Sequence, residues 1–217
     1  MAQPFESRDH AVSNTTSFDA EVQARLDLIQ RWTSAIRHQL GNVLYPSKKM
    51  LTEAAQSPGL ASKLASGVED LVETIDYNRL ALACVRPATT EDATGATVVG
   101  AWWDLTRHIL QSVVGRDVNC RGPSQHDRAL PASAKGLTAF ALPIFIALDL
   151  AEASLDSIAV EARSDEHALT IEAKGSGLEQ MVIPACALAA AEALGCALTS
   201  HAKPGGWVVQ ALWADEE

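Results

Sequence analysis

Apolar residues at Phe18, Val22, Leu26, Ile29, Ile36, Leu40, Val43 or Leu44, and Leu51 recur mostly every third or fourth position. That period lays them along one stripe of an α-helix. Ser17 or Asp19 stands where an N-cap is expected. Residues 1–17, polar and rich in Ser, Thr and Asn, read as a flexible lead-in. Pro46 falls inside the pattern and predicts a kink one turn beyond Asn42. Gln56-Ser57-Pro58-Gly59 is a turn signal. A second helix is expected from about residue 60 to 84, with Leu64, Val68, Leu71, Ile75 and Leu80 as its apolar positions, and Arg86-Pro87 closes it. Residues 18–86 thus form a helical hairpin. A hairpin alone leaves an apolar face on each helix, and pairing with a second copy into a dimeric four-helix bundle covers both.

Residues 87–100, rich in Thr, Gly and Ala, read as a linker. Beyond it the periodicity turns mixed. Helices are expected over 102–114, 134–150 and 183–194, the last ending at Gly195. Strands are expected over 118–120, 157–162 and 168–173, with Ser164 to His167 as a turn. Strands over 197–200 and 207–213 flank the turn residues Pro204-Gly205-Gly206. Helices interleaved with an antiparallel sheet predict a two-layer sandwich over 101–217, so the whole chain is expected to be α+β.

Composition narrows the setting. The chain is 47% hydrophobic and 20% charged, ordinary for a globular protein of this length. Its longest apolar run, 137–148, is interrupted by Pro143 and stopped by Asp149, too short for a membrane span. The first ten residues lack a signal-peptide pattern, so a soluble, cytoplasmic protein is expected. Cys84, Cys120, Cys186 and Cys196 form no CxxC pair and are expected as reduced, buried thiols. The net charge is −10, most of it in the C-terminal part. No acid occurs between Asp27 and Glu53, whereas Arg31, Arg37, Lys48 and Lys49 do. That basic belt suits an acidic or phosphorylated partner, while the rest of the chain repels nucleic acid. Charge runs of this kind also occur as plain solvated helix faces.

His38 lies within the belt, in Arg37-His38-Gln39-Leu40-Gly41-Asn42-Val43-Leu44. This stretch resembles the H-box of two-component histidine kinases and histidine phosphotransferases. His38, Leu40, Asn42 and Leu44 match, but Gln39 replaces the acid that follows the histidine in that family. The hairpin and its dimer agree with the family's dimerisation and histidine-phosphotransfer domain. The order of elements over 101–213 resembles the same family's ATP-binding domain. Three segments carry that resemblance: 148–154 as the end of the N-box helix, Ala173-Lys174-Gly175-Ser176-Gly177 as the glycine box, and 189–195 with Gly205-Gly206 as the late helix and closing strand. The departures are specific. Asp149 stands nearest the magnesium-holding Asn, Ala173 replaces the Asp that binds adenine, and 181–190 contains no glycine to build a phosphate lid. Gly175 and Gly177 are more simply read as a turn at a strand end.

The resemblance therefore implies phosphotransfer without ATP. His38 is expected to accept phosphoryl from a receiver aspartate and pass it on, the receiver supplying magnesium. Receiver domains of response regulators, or of a hybrid histidine kinase, are the expected partners, met by Arg37, Gly41, Lys48 and Lys49. A response-regulator phosphatase using Asn42 and Gln39 to orient water is the alternative, and a non-catalytic receiver- or kinase-binding adaptor is a second. His108, His126, His167 and His201 lack ligand spacing, so no metal site is expected. Trp102 and Trp103 are expected as packing residues.

Overall fold

A computed structural model describes residues 9–56, 62–115, 117–151, 154–163 and 167–214. The first apolar stripe forms one helix, α1 (Asp9–Ala55), 47 residues long. At about 1.5 Å per residue it extends roughly 70 Å. It starts within the stretch expected as a flexible lead-in, so neither Ser17 nor Asp19 caps it, and it continues through Pro46. The helix α2 (Ser62–Ala83) returns alongside it. Gln56 is in a turn, and Ser57, Pro58 and Gly59 lie outside the described residues.

The segment expected as a linker holds structure. It carries a 3-10 turn (Thr90–Ala93), the short strand β1 (Thr97–Val98) and the start of α3 (Val99–Val114). Then follow β2 (Asn119–Arg121), β3 (Ala129–Leu130), α4 (Ala134–Leu150), β4 (Ser154–Arg163), β5 (Ala168–Ser176), a 3-10 turn (Leu178–Gln180), α5 (Ala185–Ala193), β6 (Cys196–Lys203) and β7 (Gly206–Trp213). Ser164, Asp165 and Glu166, read as a turn, lie outside the described residues.

The chain is α+β, with one five-stranded sheet ordered β2-β4-β5-β7-β6 and a separate ribbon of β1 and β3. The large sheet is mixed rather than antiparallel: β2 runs parallel to β4, and every other pair is antiparallel. The parallel pair follows from connectivity, because the crossover between β2 and β4 passes through α4. On β4, Ile158, Val160 and Ala162 are buried while their alternates are half-buried, so one sheet face carries the core. α4 is buried all round from Gly136 to Leu148, which explains why it reads as a continuous apolar run and not as a stripe. No helix among the described residues is long and apolar enough to cross a membrane.

The hairpin is not a separate lobe. Val22 and Leu26 of α1 belong to the same buried core as Phe140, Ile144 and Ala190. Ala81 and Cys84, from the end of α2, pack with Leu105 of α3, and Tyr77 donates to the Asp104 carbonyl. Two polar contacts fix α1 further. Arg25 Nη1 lies 2.6 Å from Asp149 Oδ2 at the end of α4. Asp19 accepts from the Ala185 N–H at 3.0 Å, so the expected cap residue caps α5 instead of its own helix. That exchange suits α5, whose N-cap position is Pro184 and offers no side-chain acceptor.

Asp92, in the former linker, ties the 3-10 turn to α4. Its carboxylate accepts from Ser133 Oγ at 2.6 Å, the Thr89 N–H at 2.8 Å and hydroxyl at 2.9 Å, and Lys135 Nζ at 3.0 Å. Ser133 Oγ in turn accepts from Gly136 N–H and caps α4. Burial pushes the Asp92 carboxyl up, but these hydrogen bonds outweigh it and hold the group at about 2. A depressed carboxyl stabilises the fold above the unfolded value near 3.9, and that contribution disappears as pH falls through about 2. Asp92→Ala is expected to lower the unfolding free energy at pH 7 by about 2 kcal/mol. In urea melts, the gap from wild type should narrow progressively below pH 4. A gap unchanged between pH 7 and pH 3 contradicts this account.

Candidate functional site

His38 sits on α1 beyond the part of the helix that the core holds, about 18 Å past Leu26 at the helical rise. It is exposed. It lines an open groove of ≈ 770 Å³ between α1 and α2, with Arg37 and Gly41 from its own helix and Asp76, Arg79 and Leu80 from the other. Sequence reading had placed Arg37 and Gly41 beside the histidine, and the groove brings them together. It missed Asp76 and Arg79. Their i,i+3 spacing on α2 was visible, but which face of α2 meets α1 depends on the pairing of the two helices.

The basic belt is partly answered from across the hairpin. Lys48 Nζ lies 2.5 Å from Asp76 Oδ2, and Arg79 Nη1 lies 3.7 Å from Asp76 Oδ1. Lys48 therefore clamps α1 to α2, whereas Lys49 is exposed. Gln39 and Asn42 lie in α1, and Asn42 follows His38 by one turn, which sets both on one side of the helix. The side chains of Gln39 and Asn42 lie outside the described residues. Gly41 is open: a Cβ built there meets nothing within 4 Å. Among the described residues nothing packs against this glycine, which leaves room at the groove.

The structure places the segments read against a nucleotide site as follows. Ala173 is fully buried in β5, opposite Trp207 of β7. A Cβ at Gly175 would come within 1.9 Å of the Ser154 carbonyl oxygen, so this glycine serves the close approach of β5 to β4. Gly177, with φ of 83°, turns the chain into the 3-10 turn that precedes α5. The Asp149 carboxylate is engaged by Arg25.

Among the described residues no group of His, Cys, Asp and Glu is placed to hold a metal ion. The four cysteines are free. Burial raises all four thiols, Cys84 and Cys196 to about 11, which makes them poor nucleophiles. Trp102 and Trp103 are both buried, and Trp102 donates to Thr138 Oγ1 at 2.9 Å. They pack the core, as their sequence context suggested.

No protein-family model matches the chain, and no curated protein matches it either. Solved structures do. The blue-light activated histidine kinase of Erythrobacter litoralis EL346 is similar with a TM-score of 0.43 and 14% identity, covering 85% of this chain. The chain spans 59% of that kinase's length. A structure described as a bacterial phosphotransferase is similar with a TM-score of 0.42 and 15% identity, over 90% of this chain and 96% of the other. The histidine kinase AdeS of Acinetobacter baumannii has a TM-score of 0.40 and 8% identity, over 83% of this chain and 97% of its own.

Because nothing among the described residues lies within 4 Å of a Cβ at Gly41, Gly41→Ala should be tolerated by the fold. Removal of glycine's backbone freedom within α1 is expected to raise the unfolding free energy by up to about 1 kcal/mol. Thermal and urea melts check this, and a loss of stability would reveal a packing need at Gly41.

Proposed function

We propose that this chain is a histidine phosphotransfer protein of a two-component phosphorelay, and that it works without binding ATP. The observation that carries this reading is His38, exposed on a continuous helix in an open groove with Arg37 beside it and the bare backbone of Gly41 one turn away. An imidazole nitrogen attacks the phosphorus of a receiver's aspartyl phosphate. The phosphorus–oxygen bond to the aspartate breaks, and the carboxylate leaves with the bonding pair. The reverse step hands the group to a second receiver. Such transfer needs positioning and charge neutralisation more than covalent assistance, and the receiver brings its magnesium ion and lysine. Gln39 in place of an acid matters little when the donor is already a reactive acyl phosphate.

Three observations support independence from ATP. Ala173 offers no acceptor and is buried. Asp149 is paired with Arg25. Residues 178–184 lead directly through a 3-10 turn into α5, leaving little chain to wrap a triphosphate. In this reading the sandwich supports the hairpin and helps to dock the receiver.

We also assign a homodimer, with a second copy covering the exposed Leu28 and Trp32 of α1 and Leu71 of α2. Analytical ultracentrifugation should show a dimer for the wild type. Trp32→Glu should weaken that dimer by at least about tenfold, and a wild-type monomer at micromolar concentration contradicts the assignment.

The central test mixes the protein with a receiver carrying radiolabelled aspartyl phosphate. Label should move to the wild type and stay on the receiver with His38→Ala. Release of free phosphate by both proteins would favour hydrolysis centred on Asn42 and Gln39. A receiver that binds but keeps its label would leave only an adaptor.

A further inference from the structure

We infer that Arg79 of α2 holds the transferred phosphoryl group at His38, an assignment that rests on the phosphotransfer reading of the groove. The groove has a guanidinium on each wall, Arg37 from α1 and Arg79 from α2, with His38 among the same lining residues. Among the described residues Asp76 is the one acid lining it, and its charge is already answered. Its Oδ2 lies 2.5 Å from Lys48 Nζ, whereas Arg79 Nη1 stands 3.7 Å from Oδ1, outside hydrogen-bonding distance. The Arg79 side chain is 51% exposed. Arg79 is thus attracted to Asp76 but not hydrogen-bonded to it, and a stronger anion can draw it away.

Phosphorylation supplies that anion. The phosphoryl group brings negative charge into a groove that already contains Asp76, one turn from Glu73 on the same helix. A cation on the α2 wall offsets that repulsion. Arginine suits the task because its planar fork donates two parallel hydrogen bonds to phosphate oxygens, which an ammonium does not. Lys48 stays on Asp76 and keeps the two helices in register while Arg79 turns. Gly41 lines the same groove, and a Cβ built there meets nothing within 4 Å among the described residues.

The full-length protein and a small donor, potassium phosphoramidate, test this without any receiver. The imidazole nitrogen attacks phosphorus, the phosphorus–nitrogen bond of the donor breaks, and ammonia leaves with the proton. Wild type, His38→Ala, Arg79→Gln and Arg79→Lys are compared by mass spectrometry and ³¹P NMR, with circular dichroism confirming the fold of each. Arg79→Gln is expected to raise the half-saturating donor concentration about tenfold, the value of one charge-assisted hydrogen bond. Arg79→Lys should recover part of that loss. The phosphohistidine ³¹P titration should move to higher pH in Arg79→Gln, since loss of a cation disfavours the dianion. His38-dependent labelling that is equal in wild type and Arg79→Gln, with the same ³¹P titration, overturns the Arg79 assignment and leaves the phosphotransfer reading standing. Wild type that takes no more label than His38→Ala overturns that reading, and the Arg79 assignment with it.

Discussion

One helix belongs to two structures, and the rest of the molecule is arranged around that fact. The N-terminal half of α1 is part of the sandwich core through Val22 and Leu26. Its C-terminal half forms one wall of the groove that holds His38. A continuous helix transmits position along its axis without a hinge, so the core that seats Leu26 also sets where His38 stands. The end of α2 is seated likewise, through Ala81 and Cys84 against Leu105. Both walls of the groove are therefore referenced to the same folded body.

The polar contacts reinforce this arrangement where hydrophobic packing cannot give direction. Hydrophobic burial is roughly proportional to area and does not fix the rotation of a helix. A carboxylate on an N–H group or a guanidinium does. Asp19 on the first turn of α5 and Arg25 on the end of α4 tie α1 to two helices of the sandwich. Asp92 does the same between the 3-10 turn and α4. Within the sandwich, Arg25 also pairs with the Asp149 carboxylate, and Gly175 permits the close β4–β5 contact. The histidine and the sandwich have thereby become parts of one scaffold that presents a groove.

Much of this was legible in the chain itself. The α+β class, both hairpin helices, the buried helix α4 and the β6–β7 hairpin followed from period and turn chemistry, because those signals are local. Element ends were displaced. α1 reached back to Asp9. The supposed linker became a 3-10 turn, a strand and a helix start, since buried Asp92 finds Ser133 and Lys135 at the start of α4. The parallel β2–β4 pair was missed because three residues carry no periodicity by which to judge direction.

The site divides along the same line. Sequence alone determined the residues of α1 around His38: a helix fixes the relation between positions 37, 38, 41 and 42 by its own geometry, whatever it packs against. Only the tertiary structure decided what faces them. The distance in sequence between His38 and Arg79 says nothing about their approach, because the pairing of two helices depends on the turn between them and on the core that seats both ends. For the same reason the sequence singled out Asp19, Lys48 and Asp149 but not their partners Ala185, Asp76 and Arg25: a charge is visible in the chain, and the group it meets is chosen by the fold.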